Sequence, residues 1–541
     1  MSQANYSEPN ASLPTAVSDR QGFNKRWYAS DANLQIVRPT SAQEVLAVFS
    51  AILADPNIAP GQCQITCGRH CYEGFVYNAN TRAILDLTGL KAYGEAIVNG
   101  EPTLYVDVGL GNWDMYRLLN NVYQKTLPAG SCYSVGLGGH ITGGGYGVLS
   151  RLYGLSIDYL TAVDIVVGDR RQGARLIRQC SATHEPELFW AVRGGGGGQF
   201  GIITRYYFGL NTLPNAPTYI YIHALGWDWQ QGGSTLSETT FSAILDYFQD
   251  TYARQEKSTW NTFGIFAGNH RDAGTLNLSA IHTYDAAYPL ALAEFERDLF
   301  ATIRQRQDQA AAIAPLSTAD LVFNSHPYIA STRRLGLTAT NTWRKYTYLE
   351  GMQQLNTSGP NRYGKYKSAY HTEKFNPAMT AAAYQGLTTT VTDAQGNRVD
   401  MSNSLIQFDS YGGKINTIAA EATAIPQRNS ILKLQYQSYW DTNLPPGQDD
   451  PVLETAHVNW LNGMYQEIYA ASGGIPNGVG TEGCYFNYPD IDIGSTGVRT
   501  PPLEQALTLY FGENLPRLQQ VSAQYNPDGW FQNSQSLSNL V

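Results

Sequence analysis

Between about residues 26 and 210, short runs of apolar and β-branched residues alternate with stretches of helical period. Residues 64–66, 83–87, 103–108 and 162–167 read as strands bounded by turn formers. Ser41 followed by Glu44 has the form of a capping box and predicts a helix running through Leu46 and Val48. Glycine-rich connections join these elements. From about residue 215 to 480 the pattern changes. Residues 219–223 predict a strand, and a helix is expected around Phe241 to Tyr252. A second helix, over residues 290–304, carries Phe295 and Leu299 on one face. Residues 404–409 and 431–436 predict two further strands. Lys433 and Gln435 fall on one face of the second, so both are expected to project into one cleft. The chain as a whole predicts an α+β fold, its second half an antiparallel sheet backed by helices. Residues 1–25, polar and rich in Ser, Asn and Pro, predict a mobile or draped arm. There is no internal repeat.

Length and charge narrow the picture. At 541 residues the chain exceeds one ordinary core, so two domains are expected. A net charge of −9 argues against nucleic acid or an anionic membrane as partner, since both need a basic surface. No run approaches the ~18 apolar residues of a membrane span. The opening Met1-Ser2-Gln3-Ala4-Asn5-Tyr6 has no basic start and no apolar core, so no secretory signal is read and the compartment is either the cytoplasm or left open. Six cysteines in a chain of this length do not make a disulfide framework. Cys63, Cys67 and Cys71 are evenly spaced, but no fourth ligand accompanies them, and no metal site is expected. Cys63 and Cys67 read as small buried residues. Cys71 is open between packing and a local disulfide. The 36 tyrosines and 10 tryptophans suit a cleft that stacks on sugar faces, and equally suit a large β-rich interface.

The candidate chemistry lies in glycine-framed strings. One is Gly68-Arg69-His70-Cys71-Tyr72-Glu73-Gly74-Phe75. Another is Pro128-Ala129-Gly130-Ser131-Cys132-Tyr133-Ser134-Val135-Gly136-Leu137-Gly138-Gly139-His140, which runs on into Gly143-Gly144-Gly145. Glycine lets main chain come within hydrogen-bonding distance of a flat or charged ligand. Gly68-Arg69 and the run Gly194 to Gly198 also offer unhindered N–H groups of the kind that hold a pyrophosphate. No Gly-x-Gly-x-x-Gly joins a strand to a helix, which argues against a Rossmann dinucleotide site.

These strings resemble the berberine bridge enzyme branch of the vanillyl-alcohol oxidase flavoproteins. The resemblance extends from the segment at Ile36 to Asn487-Tyr488-Pro489-Asp490 and the segment at Trp530. Within the branch, His70-Cys71-Tyr72-Glu73, the string from Gly359 to Tyr370 and the string from Glu482 to Asp490 are similar to the hexose oxidases. The resemblance implies FAD held by two covalent bonds, from His70 to the 8α-methyl carbon and from Cys132 to ring C6. It places Gly68, Arg69, Val135, Gly138, Gly139, His140, Gly144, Gly197, Gly198, Ile203 and Asn487 along the cofactor. For His140 a structural and a catalytic role stay equally open. The resemblance implies that Val135 lies beside the carbon where oxygen reacts. Tyr488 is implied as catalytic base and Asp409 as acceptor of its proton; read from sequence alone, Asp409 is also an acceptable strand-end turn residue. Tyr72, Lys433 and Gln435 are the candidate substrate contacts. Lysine at 433, where plant relatives carry a glutamate used in ring formation, argues against a bridge-forming enzyme.

The implied domains are 26–212 for the first part of the FAD-binding unit, 213–480 for the substrate domain and 481–541 for a segment returning to the first. The implied reaction is oxidation of an aldose at C1 to a lactone, with O2 reduced to hydrogen peroxide. The alternatives are a tailoring oxidase for the alcohol or sugar of a natural product, and a flavin-carrying binding protein without catalysis. The implied partners are a small sugar and O2. Oligomeric state is not legible.

Overall fold

A computed structural model describes residues 19–318, 337, 342–356, 361–442, 444, 450–493 and 502–540. Gly359 and Pro360 of one hexose-oxidase-like string lie outside the described residues, as do residues 1–18 of the predicted arm.

Three sheets carry the architecture, which is α+β. The smallest is parallel, with strands in the order Gln35–Val37, Ala83–Asp86 and Cys63–Thr66. The second is antiparallel and runs Tyr93–Val98, Glu101–Asp107, Ile202–Gly209, Leu160–Asp169, Gly173–Ser181. The third has seven antiparallel strands in the order Trp343–Thr347, Tyr219–Asp228, Thr275–Tyr284, Thr262–Asn269, Ser404–Ser410, Leu432–Trp440, Tyr363–His371. Among the described residues no helix is long and apolar enough to cross a membrane.

Local chemistry accounts for the first helix, Ala42–Ala54. Ser41 Oγ accepts from the Glu44 N–H at 3.2 Å, as the capping box requires. Its reciprocal half is shifted by one residue. The Glu44 carboxylate accepts from the Thr40 N–H at 2.7 Å and the Thr40 hydroxyl at 2.9 Å, because Thr40 offers two donors where Ser41 offers one free N–H. Val45, Val48, Phe49 and Ile52 form the buried stripe. The helix expected over 290–304 is Leu292–Ile313. It runs on because the polar stretch after Arg304 consists of helix formers, and Ala310 continues the stripe of Phe295, Leu299 and Ile303.

The seven-stranded sheet has two unlike faces, and strand alternation produces both. From Ser404–Ser410, Ile406 and Phe408 enter a core with Phe248, Leu387 and Leu461. From Leu432–Trp440, Leu432, Leu434 and Tyr436 join the same core. The helices Glu238–Tyr252, Pro377–Thr388 and Pro451–Ile468 cover that face. The alternate residues Gln407, Asp409, Lys433, Gln435 and Gln437 fall on the other face, and all are buried.

A larger core joins residues distant in sequence. Phe49, Leu85, Val106, Leu137, Ile165 and Phe200 share it with Tyr485, Phe486, Leu507, Leu518 and Trp530. The C-terminal helices Leu503–Phe511 and Leu515–Tyr525 therefore pack with the N-terminal half.

Of the mobile and draped alternatives for the arm, residues 19–25 take the draped one. Phe23 and Asn24 are buried. The Asn24 amide donates to Tyr72 O at 2.6 Å and Gly364 O at 2.8 Å, and its carbonyl accepts from the Gly364 N–H at 3.2 Å. A polar side chain that bonds two distant segments is a clamp, which its polarity alone did not reveal. Asn24→Ala is expected to lower the unfolding free energy by about 1–3 kcal/mol for each buried partner left unsatisfied. Thermal melts and limited proteolysis within residues 19–25 would measure it.

Candidate active site

A cavity of about 350 Å³ opens between the glycine-framed strings and the polar face of the large sheet. Its size is that of a ligand site. The structure brings to it Gly68, Arg69, His70, Tyr72, Cys132, Val135, Gly138, Gly139, His140, Gly197, Gly198, Ile203, Asp409, Gln435, Asn487 and Tyr488. Two expected members are absent from the lining. Gly144 packs away from it: a Cβ there would meet Ile425 Cδ1 at 3.0 Å, and its N–H donates to Ile141 O at 2.8 Å. Lys433 shares a strand face with Gln435, yet it is fully buried behind tyrosine rings and cannot touch a sugar directly.

The glycine strings divide by function. A Cβ on Gly68 would lie 2.3 Å from Gly136 N, so the loop bearing His70 and the loop bearing Cys132 touch main chain to main chain. A Cβ on Gly196 would lie 2.1 Å from the Phe486 ring. Gly139 and Gly198 are the reverse case, with no protein atom within 4 Å of an added Cβ. The N–H groups of Gly139, Gly197 and Gly198 have no acceptor among the described residues. Such a bare, donor-lined cradle fits a phosphate-bearing cofactor.

His70 stacks on Phe23 with ring centres 5.0 Å apart, and its Nε2 lies 2.8 Å from Ser134 Oγ. Burial pulls its pKa down to about 4, so the imidazole is neutral at pH 7 and retains a nucleophilic nitrogen. Cys132 is partly exposed, forms no disulfide and lies on the same cavity. His140 Nε2 accepts from the Gly130 N–H at 2.9 Å, which pins the start of the Cys132 loop. Burial, with Lys433 and His70 nearby, holds His140 at about 4. Of its two open roles, this contact is the structural one. The Asn487 amide donates to His140 O at 3.0 Å and Tyr485 OH at 3.1 Å. Cys484 is elsewhere: it is buried, donates to Ser368 O at 3.1 Å, and burial pushes its thiol up to about 12. Cys71 donates to Glu73 O and forms no disulfide.

Opposite this wall stand Tyr488 and Asp409. The Tyr488 hydroxyl has no hydrogen-bond partner among the described residues, while its half-buried ring packs on three neighbours. Tyr72 stacks on it at 5.6 Å, Tyr485 meets it edge-on at 5.0 Å, and Lys433 Nζ sits 4.0 Å from its ring centre. The expected Tyr488–Asp409 contact is not formed. Asp409 Oδ1 accepts from Gln407 Nε2 at 2.5 Å, and Oδ2 lies 3.6 Å from Lys433 Nζ. The reason is register: Asp409 is paired across the sheet with Lys433, whose ammonium touches both groups. Burial raises the Asp409 pKa against the pull of Lys433, and lowers Lys433 to about 8. Burial also holds the Tyr488 phenol well above its usual range, with Tyr72 and Asp409 acting in the same sense.

Sequence reading missed Gln407, Gln437 and Tyr439, which also line the cavity. Tyr439 OH donates to Gln437 Oε1 at 2.8 Å, and Gln437 Nε2 to Gln407 Oε1 at 3.2 Å, so a chain of donors ends on Asp409. Period-two extension from Asp409 and Gln435 was the available signal.

Comparison with known proteins follows the same outline. Residues 34–171 match the family model "FAD binding domain", and residues 484–538 match "Berberine and berberine like". Hexose oxidase from Chondrus crispus is 33% identical, covering 98% of this chain and 95% of that protein. Aclacinomycin-N/aclacinomycin-A oxidase from Streptomyces galilaeus is 32% identical, covering 96% and 87%. Among solved structures, the pregilvocarcin complex of GilR, an oxidoreductase of gilvocarcin biosynthesis, superposes with a TM-score of 0.79 at 26% identity, covering 96% of this chain and 97% of that one. With its cradle, its paired glycine loops and near full-length similarity to these enzymes, the chain belongs to the berberine bridge enzyme-like FAD-linked oxidoreductases of the vanillyl-alcohol oxidase superfamily.

Proposed function

We propose that the protein is a carbohydrate oxidase that converts the C1 hydroxyl of an aldose, free or at the end of an oligosaccharide, to a lactone while O2 becomes hydrogen peroxide. One observation carries the reading. The unpartnered Tyr488 hydroxyl shares a single cavity with a floor of Gln407, Asp409, Gln435 and Gln437 and a wall holding His70 and Cys132. Amide and carboxylate side chains in that density suit a polyhydroxyl substrate. The hexose oxidase relative supports the same class. A second reading, oxidation of a natural-product alcohol or sugar, draws on Val148, Phe263 and Ile265 in the lining and on the aclacinomycin oxidase relative.

In this reading His70 and Cys132 would hold FAD by two bonds, and the N–H groups of Gly139, Gly197 and Gly198 would be available to its phosphates. Bound FAD supplies a two-electron acceptor that O2 regenerates. Tyr72 and Gln435, joined by a 3.0 Å hydrogen bond from the amide to the phenol oxygen, orient the sugar. Tyr488 as its phenolate would accept the C1 hydroxyl proton and become the neutral phenol. Burial disfavours that phenolate, and the Lys433 ammonium 4.0 Å from the ring centre favours it and so helps to supply the base. Asp409 in turn keeps Lys433 charged.

A panel of mono- and disaccharides against glycosylated and aglycone alcohols, read by peroxide release, tests the substrate class. The expected result is turnover on aldoses; turnover confined to the natural-product alcohols would favour the second reading.

Acid-precipitated protein is expected to remain yellow, with His70→Ala retaining flavin through Cys132 and Cys132→Ala through His70. Release of all flavin from the unsubstituted protein would remove the two-bond attachment.

Tyr488→Phe is expected to lower kcat and kcat/KM together by about 10²–10⁴-fold, as loss of a general base does. The Lys433 pKa lies near 8, below its ordinary 10.5, so its ammonium is present at lower pH and lost as pH rises through about 8. The flavin reduction rate should fall across that window, and Lys433→Met should be slow throughout and lack this limb. Rapid-mixing kinetics across pH would read both.

A further inference from the structure

Behind Tyr72 and Tyr488, outside the cavity lining, lies a group of buried charges that the reaction above does not use. Lys365 is fully buried on the edge strand Tyr363–His371. Its Nζ lies 3.0 Å from Glu73 Oε1, 2.6 Å from Asp490 Oδ1 and 2.9 Å from Asp492 Oδ2. Lys367 Nζ reaches the other oxygen of Asp490 at 2.5 Å. Burial by itself would lower the Lys365 pKa; Asp490 and Glu73 outweigh it and raise it.

The positions of these residues in the chain give the group its meaning. Glu73 directly follows Tyr72, Asp490 stands just past Tyr488 and Pro489, and Lys365 directly precedes Tyr366. The three tyrosines form one stack. Tyr366 lies on Tyr72 with ring centres 3.8 Å apart, and Tyr72 on Tyr488 at 5.6 Å. A single ammonium thus ties together the three segments that supply the three rings. Buried ion pairs of this kind are poor sources of stability, because desolvation consumes the attraction, and apolar residues of the same volume would join the segments as firmly. Ions with fixed hydrogen-bond directions do something apolar contacts do not: they hold distances.

We propose that Lys365 is a positioning residue, which by clamping Glu73 and Asp490 sets the separation of Tyr72 from Tyr488 and so places the substrate hydroxyl within reach of the Tyr488 oxygen. The inference rests on the reading of Tyr488 as base. Without the ammonium, Glu73 and Asp490 repel and the two loops part. A misplacement on the scale of 1 Å costs up to about 10²-fold in rate.

The experiment compares Lys365→Met, Glu73→Gln and Tyr488→Phe, alone and with Glu73→Gln combined with Tyr488→Phe. Each is assayed by the limiting rate of flavin reduction per mole of bound flavin and by sugar Kd from the same traces. Lys365→Met and Glu73→Gln are expected to slow reduction by about tenfold or more while sugar Kd moves much less. In the Tyr488→Phe background, Glu73→Gln should add nothing, since it acts through the lost group. A merely structural role would lower the melting temperature and the yield but not the rate per flavin. If Lys365→Met does not fold, Glu73→Gln decides, since it keeps the shape and the Lys365–Asp490 pair. An unchanged limiting rate in Glu73→Gln, or an equal loss with and without the Tyr488 hydroxyl, overturns the positioning role alone. Unimpaired reduction in Tyr488→Phe overturns both the base and the positioning role.

Discussion

The contact of main chain with main chain at Gly68 and Gly136 is the constraint on which the site depends. No side chain fits between these loops: a Cβ on Gly136 would lie 2.5 Å from Cys67 O, as one on Gly68 would lie 2.3 Å from Gly136 N. The contact brings His70 and Cys132, which come from separate strings, onto one cavity. Two further glycines extend the arrangement. Gly143 leaves room for Asn487, and Gly196 leaves room for Phe486. Each glycine is small because a residue of another segment occupies the space its side chain would take. The C-terminal segment thereby delivers Tyr488 to the cavity beside the glycine strings of the N-terminal half.

The large sheet supplies the other wall under a different constraint. One face is apolar and covered by helices. The opposite face is polar and buried as well, so its groups must satisfy one another. Gln407, Asp409, Gln437 and Tyr439 do so through directed hydrogen bonds. Lys433 is the exception, because its Nζ makes no hydrogen bond among the described residues and faces three tyrosine rings and one carboxylate. Burial disfavours the charged form of acid and amine alike, which is why Asp409 is raised while Lys433 is lowered. An ammonium buried beside the Tyr488 ring acts on the protonation of that phenol at full strength, whereas a solvated one would be screened.

Much of this arrangement was legible in the chain. Glycine strings around His70 and Cys132, the period-two alternation of Asp409, Lys433 and Gln435, and the cap at Ser41 are properties of adjacent residues, so no partner is needed to see them. The same alternation extends to Gln407 and Gln437. It marks a face and leaves open what covers that face.

Tertiary structure decided the rest. It separated Gly139 and Gly198, which face open space, from Gly144 and Gly196, which are filled by other segments. It put Lys433 beneath the tyrosines while Gln435, on the same strand face, stayed in the lining. It replaced an expected Tyr488–Asp409 contact with one through Lys433. It decided between a mobile and a draped arm over residues 19–25, making them a clamp on Tyr72 and Gly364. The physical reason is common to all four. Conformational freedom and facing direction follow from a residue and its immediate neighbours, whereas contact, burial and protonation follow from segments far away in sequence that only the folded register brings together.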